Sequence, residues 1–414
     1  MMEHLMIVSS RQRLTSTQIT SFLSQHPGGA SILLNNSGRD ASHAYDDVHP
    51  PELIEEYLDI IELMGRFEDD RRNIPSVQRR DKETALPRTR IEIPSVSQIL
   101  SIGEMEDLAL RSMSDKAISY YHSGSDDEIT KEENQRVYQL IFLRPRIFID
   151  CSQCSTAVSI MGNPLNIPIY ISPAAMARLA HPTGEAGIAA ACSKWKALQI
   201  VSKNASMSLS DIVKSGPDAT FAWQLYVLKD IKATEKTLAR VRSIPQIKFI
   251  VLTLDAPFPG KREKDERHKM SEAAAGSLPK PWGTESALTW TKTLEWLRTQ
   301  TDLPIVLKGI QSYEDAYLAT LFPNVKGIIV SNHGGRALDT ATTPIQTLLE
   351  IRKHCPVVFE KLDVLIDGGI RRGTDVVKAL ALGAKAVGIG RAALYGLAVG
   401  GESGVSRTLE SKHT

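Results

Sequence analysis

From residue 168 onward the chain repeats one pattern: a short, continuous apolar run, then a longer stretch whose apolar residues recur every three or four positions. Eight such runs are present, at 168–172, 198–202, 221–226, 248–255, 304–308, 326–331, 363–367 and 386–390. Most are rich in Ile and Val and do not alternate strictly between apolar and polar, as expected of strands buried on both faces of a parallel sheet. The stretches 183–194, 234–241, 313–320, 345–353 and 373–382 carry helical periodicity. Eight strand-then-helix units predict an α/β fold, a (β/α)8 TIM barrel. A doubly wound sheet is the alternative, but it calls for fewer strands and a glycine-rich turn after the first, and none follows Ser172.

A barrel of this kind carries its chemistry at the C-terminal ends of its strands. The runs end in Ser172, Ser202, Gln224 with Tyr226, Thr253 with Asp255, Lys308, Ser331 with His333, Asp367 and Arg391. Strand ends are polar in any protein, so no single case decides anything. Lys308 and Asp255 weigh more, because each continues an apolar run where a charge without a partner is costly. The sixth run leads into Ser331-Asn332-His333-Gly334-Gly335-Arg336. A His and an Arg in a glycine-lined turn suit base chemistry on a substrate that carries a carboxylate. Taken alone, the motif is equally a loop His and a surface Arg. The seventh run leads into Asp367-Gly368-Gly369-Ile370-Arg371-Arg372-Gly373, and the eighth contains Gly388-Ile389-Gly390-Arg391. Loops at these two positions often hold a phosphate on backbone N–H groups, so a phosphorylated cofactor is expected here.

Upstream, residues 1–66 form a small, helical-looking segment, residues 67–93 a charged, Pro-containing linker, and 94–414 the barrel region. At 414 residues and 42% hydrophobic content the chain has ample material for such a core. A net charge of +1 gives no case for nucleic acid or an anionic membrane as partner. No apolar run approaches the ~20 residues of a membrane span, and the first ten residues lack the basic flank and apolar core of a signal peptide. A soluble, cytoplasmic protein is expected, or a mitochondrial one if the natural N-terminus is longer. Four cysteines are too few for a disulfide framework, and the single Cys151-x-x-Cys154 is a weak signal for zinc or redox chemistry.

Five motifs in order carry a resemblance over roughly residues 96–405: Y-Y-H-S-G-S-D-D-E, W-Q-L-Y-V, L-T-L-D-A-P followed by K-R-E-K-D, S-N-H-G-G-R and D-G-G-I-R-R-G-T-D. Together they resemble the FMN-dependent α-hydroxy acid dehydrogenases and oxidases. The resemblance implies oxidation of an L-2-hydroxy acid, lactate-like, to a 2-keto acid. His333 would take a proton from the substrate as hydride or carbanion electrons pass to flavin N5, and Asp255 would stabilise the resulting imidazolium. Arg336, Arg262 and Tyr120 would meet the carboxylate, and Tyr226 the hydroxyl. Lys308 would stabilise negative charge on the reduced flavin. Ser202, Gln224 and Thr253 would bond the ring, with Ser331 nearby. Asp367 would meet the ribityl chain, and Gly368, Gly369, Arg371, Gly390 and Arg391 the phosphate. Asn204 departs from the Leu or Trp usual at its position and points to a more polar or longer substrate than lactate. Ala175 stays small, as in enzymes for short substrates.

His26-Pro27-Gly28-Gly29, Gly38-Arg39-Asp40-Ala41 and His49-Pro50 resemble the haem-binding half of a cytochrome b5-like domain, in which His26 and His49 would clamp the iron of haem b. Coupled to the barrel, this resembles the flavocytochrome b2 architecture. Only about 25 residues precede His26, which is short for such a domain. The electron acceptor implied is cytochrome c if haem binds, and oxygen or a quinone otherwise, with a homotetramer as the family's common assembly. The final helix also looks short, which predicts an uncovered apolar patch beside the eighth strand. A truncated, inactive relative that acts at most as a binding protein is the competing reading.

Overall fold

The computed structural model describes residues 15–18, 26, 30–36, 41–50, 53, 62–66, 93–272 and 284–413. All eight expected runs form strands of one closed parallel barrel: β1 (Ile169–Ile171), β2 (Leu198–Val201), β3 (Thr220–Leu225), β4 (Ile247–Thr253), β5 (Ile305–Ile310), β6 (Val325–Val330), β7 (Asp363–Asp367) and β8 (Ala386–Ile389). Strand β8 pairs with β1 through Val387 and Ile169, Gly388 and Tyr170, and Ile389 and Ile171, which closes the ring. The helices after them are α1 (Gly184–Trp195), α2 (Leu209–Ser215), α3 (Ile231–Arg242), α4 (Trp290–Gln300), α5 (Tyr313–Ala319), α6 (Pro344–His354), α7 (Gly373–Ala381) and α8 (Arg391–His413). Their starts are written in the sequence. The side chains of Ser208, Asp230 and Ser312 accept from backbone N–H groups of the first turns of α2, α3 and α5 at 3.1 Å each, and Pro344 opens α6.

Strand periodicity divides the side chains in two. Tyr170, Leu198, Ile200, Ala222, Phe249, Val251, Val306, Ile329, Leu365 and Ala386 form a buried cluster with contributions from all eight strands, the filling of the barrel. Their sequence neighbours, such as Ile171, Trp223, Ile250, Leu307, Ile328 and Val364, belong to the larger cluster shared with the helices. The floor is closed by a hairpin that the sequence pattern does not announce. Its strands Val158–Ile160 and Asn163–Leu165 pair antiparallel, and Ile160 and Leu165 join the filling.

Among the described residues the expected uncovered patch beside β8 is not there. Helix α8 runs for 23 residues with non-helical backbone at Gly400 and Gly401, and buries Val405 and Leu409 fully. It packs against α1 and against the helix Ile102–Ser112, so the short tail still covers that side. Within the N-terminal segment, the helices Ala30–Asn35 and Ser42–Asp46 are joined by a strand pair, Thr15–Gln18 with Glu62–Arg66, which a mainly helical reading leaves out. The expected linker 67–93 lies outside the described residues apart from Ile93.

Candidate active site

Two residues beyond each filling side chain, the same inward direction continues toward the C-terminal end of the barrel. The positions reached are Ser172, Ser202, Gln224, Thr253, Lys308, Ser331, Asp367 and Gly388, one per strand. An apolar layer is thus roofed by a polar one, and hydrogen bonds divide that roof into two arcs. In the neutral arc, Ser202 Oγ donates to Gln224 Oε1 at 3.0 Å, and Gln224 Nε2 donates to Thr253 Oγ1 at 3.1 Å. In the charged arc, Lys308 Nζ donates to Ser331 Oγ at 2.8 Å and lies 3.4 Å from Asp367 Oδ2, which also accepts from Ser172 Oγ at 3.0 Å. Lys308 is 3% exposed, and the Asp367 carboxylate offsets the cost of placing an ammonium there. On β8 the position is Gly388, which contributes no side chain.

Above the charged arc sits the acid–base pair. His333 Nδ1–H donates to Asp255 Oδ1 at 2.8 Å, and the Asp255 side chain is fully buried. Burial alone would push this carboxyl up. The His333 ring and the Lys308 ammonium more than reverse that and hold it below the usual carboxylate range. With Nδ1 committed, Nε2 of a neutral His333 is the proton acceptor, and the residue lines the cavity. The geometry depends on backbone that most residues avoid: His333, Gly334 and Gly335 have φ of 59°, 66° and 72°. His333 N–H is held by Ser331 Oγ at 3.1 Å. Gly309 lets β5 pass beside the carboxylate, where a Cβ would lie 2.7 Å from Asp255 Cβ.

Guanidinium groups gather on one wall. Arg262 and Arg336 lie on the Tyr120 ring, 5.1 and 5.2 Å from its centroid. Arg336 Nη1 donates to the carbonyls of Tyr120, Tyr121 and Ser123. Burial first, then repulsion from Arg262 and Arg391, holds Arg336 down to about 9. A crowded cation of this kind is stabilised by an anion placed against it. Burial, with Asp255 close by, pushes the Tyr226 phenol upward, so it stays a donor.

The residues expected at the phosphate stand at the cavity but are partly committed elsewhere. Arg391 donates to the carbonyls of Tyr121, Gly334 and Ser123 at 2.9 Å each. Arg371 pairs with Glu106 at 2.5 Å. Burial raises the Glu106 carboxyl, but a hydrogen bond from His122 and the Arg371 charge bring it down to about 2. Gly369 passes against the Asn134 carbonyl, and a Cβ on Gly390 would meet nothing within 4 Å. The open space therefore lies over β8, beside the N-terminus of α8, where the first N–H groups of a helix are free for an anion. The cavity measures about 250 Å³ and is lined by Tyr120, Tyr226, Arg262, His333, Arg336, Ala174, Ala175 and Asn204, and on the other side by Gly368, Gly369, Arg371, Gly390 and Arg391. A row of ring-bonding side chains, a buried ammonium and a glycine cradle at a helix start are the donor set that FMN requires. The residues fit that group.

Sequence reasoning missed three supports. Asn134 and Asn332 exchange amide hydrogen bonds at 2.9 and 2.8 Å across 198 residues, which pins the His333 loop. Glu106 holds Arg371, and Ser172 holds Asp367. Ser172 carried a signal as a polar strand end. The other two partners lie on helices before the barrel, with no periodicity to mark them. At the N-terminus, the rings of His26 and His49 lie edge to face, 6.0 Å apart between centroids, so the two expected haem ligands are brought together. Burial, then His26 and Lys116, lowers His49 to about 4, which keeps it neutral, the form that ligates a metal.

Residues 109–413 match the family described as FMN-dependent dehydrogenase, and residues 18–68 match that of the cytochrome b5-like heme/steroid binding domain. The chain is 34% identical to an L-lactate dehydrogenase (cytochrome) of Wickerhamomyces anomalus, over 95% of this chain and 70% of the relative. It is 39% identical to an L-lactate oxidase of a Nostoc species, over 76% of this chain and 92% of the relative. Among solved structures, the recombinant flavin-binding domain of baker's yeast flavocytochrome b2 matches with a TM-score of 0.72 at 37% identity, over 77% of this chain and 81% of that one. A mandelate oxidase variant matches with a TM-score of 0.69 at 34% identity, over 76% of this chain and 91% of that one.

Proposed function

Because the chain belongs to the FMN-dependent dehydrogenase family, we propose that its site oxidises an (S)-2-hydroxy acid to the 2-keto acid with His333 as the base. The observation that carries this is the His333–Asp255 pair, 2.8 Å apart, facing a cavity walled by Arg262, Arg336 and Tyr120. The substrate carboxylate lies against the two guanidiniums and the Tyr120 phenol. Tyr226, kept protonated by burial, meets the substrate hydroxyl. His333 Nε2 takes the substrate proton, and the charge that results on the ring falls beside Asp255. FMN, when bound, supplies the acceptor for the electron pair. Ser202, Gln224 and Thr253 would hold its ring, Lys308 with Ser331 would stabilise the negative charge it gains on reduction, and Asp367 would take the ribityl chain. Gly368, Gly369, Arg371, Gly390 and Arg391 would hold the phosphate. Asn204 and Ala175 stand where the substrate side chain goes, and the amide suits a polar one.

Residues 1–66 form a haem-binding unit, 67–93 the linker and 94–414 the flavin barrel. Haem b on His26 and His49 gives electrons a route to cytochrome c. Without it, oxygen or a quinone is the acceptor. Assembly as a homotetramer belongs to the same reading, and sedimentation of the holoprotein tests it. The deciding experiment is the visible spectrum before and after anaerobic addition of L-lactate, glycolate and L-mandelate in turn. Flavin bands that bleach with one acid, and a sharp haem band beside them, are expected. A colourless protein that FMN cannot reconstitute overturns the proposal in favour of an inactive relative.

A further inference from the structure

Of the four cysteines, Cys192 and Cys355 are buried, and burial pushes the Cys192 thiol upward, which keeps it inert. Cys151 and Cys154 are both exposed. Unpaired cysteine is among the residues most often found inside a protein, so two on the surface within one short loop call for an account. They lie in the exposed segment that leads from the helical N-terminal layer to the floor hairpin. The Cys154 N–H donates to the Cys151 carbonyl at 3.2 Å, closing a turn. Such a turn brings its first and fourth Cα within ~7 Å, where a disulfide spans ~4.4–6.8 Å. Asp150 Oδ1 accepts from Ser152 N–H at 2.8 Å and fixes the corner. The Cys151 thiol donates to the Ile149 carbonyl at 3.4 Å, and the Cys154 thiol lies close enough to Cys151 to feel it electrostatically. Among the described residues no group of three or more His, Cys, Asp or Glu surrounds a point, so zinc would find two of the four ligands it needs.

We propose that Cys151 and Cys154 form a reactive dithiol that a hydroperoxide oxidises to an intrachain disulfide. The Cys151 thiolate attacks a peroxide oxygen, the O–O bond breaks, and the leaving oxygen departs as water after taking a proton. This leaves a sulfenic acid on Cys151. Cys154 then attacks the Cys151 sulfur, the S–O bond breaks, and a second water leaves. Two thiols lose two electrons and two protons, and one peroxide becomes two waters. Both thiols are exposed, so the same steps run with the two cysteines exchanged. Hydrogen peroxide is also what forms whenever oxygen accepts an electron pair, so an oxidase reaction would deliver the oxidant to its own surface.

The test adds peroxide from outside, which makes it independent of the acceptor. Purified holoprotein is titrated with hydrogen peroxide, alkylated with iodoacetamide, and the peptide holding both cysteines is weighed. The expected peptide has lost two hydrogens and both alkylations, and dithiothreitol restores them. In Cys154→Ser, Cys151 stops at the sulfenic acid and is captured by dimedone. In Cys151→Ser, Cys154 stops at the same stage and is captured in the same way. Cysteines that stay fully alkylatable after peroxide, or a bond that joins two chains on a non-reducing gel, overturn the proposal.

Discussion

The two ends of the barrel are built from the same eight strands and do opposite work. At the floor, Ile160 and Leu165 of the hairpin enter a cluster of Tyr170, Leu198, Phe249 and Val306, and the polar contacts, such as Met161 N–H on Asp363, the Lys385–Asp363 pair and Asn163 on its own turn, lie at the rim. At the mouth, two residues further along each strand, the inward positions are Ser, Gln, Thr, Lys and Asp, joined in two arcs. Floor side chains are satisfied by each other. Mouth side chains are only partly so: Asp255 Oδ2 is buried without a hydrogen-bond partner among the described residues. An end that satisfies itself stabilises the fold, and an end that does not is prepared for a guest.

Substitutions should keep the two ends distinct, with the largest effect at the mouth. His333→Gln removes the base while keeping a polar side chain. We expect kcat to fall by ~10⁴-fold or more with thermal stability retained, read by steady-state rates beside a melting curve. Asp255→Asn leaves the ring poorly oriented and its charge unbalanced, and kcat should drop by about 10³-fold. Leu165→Ala at the floor should do the reverse. It costs about 3 kcal/mol of stability in a denaturant titration and leaves kcat of the folded protein unchanged. A large loss of kcat without loss of stability there would erase the distinction.

Two smaller effects sharpen it. Asn204→Leu should move the ratio of kcat/KM between a carboxylate-bearing and an alkyl-bearing hydroxy acid by about tenfold toward the alkyl one. An unchanged ratio removes Asn204 from the substrate wall. Acid should loosen the mouth before the floor. Glu106 sits at about 2 when folded against 4.5 ordinarily, so its contribution is complete above 4.5 and is lost as pH falls through 2. Partial exposure keeps this on the order of 1 kcal/mol. Glu106→Gln should flatten that part of the stability–pH curve.

The strands were legible because burial on both faces leaves unbroken Ile and Val runs, and the observed bounds fall within two residues of those expected. Polar strand ends were legible for the same reason, since Lys308 and Asp255 stand out against such runs. The floor hairpin was not, because strands of three residues, 158–160 and 163–165, are too short to show a period. Nor was the commitment of Arg371 to Glu106 or of Arg391 to three carbonyls. All of those partners but Gly334 are more than 200 residues away in sequence, and only the closed barrel brings them together.

The base at position 333 occupies left-handed backbone, φ 59°, which glycine would adopt without strain. His333→Gly would relieve that backbone but strip the buried Asp255 carboxylate of its hydrogen-bond partner. The imidazole therefore holds its neighbour's charge as well as the substrate proton, and a screen for endurance and a screen for turnover would both keep it in place.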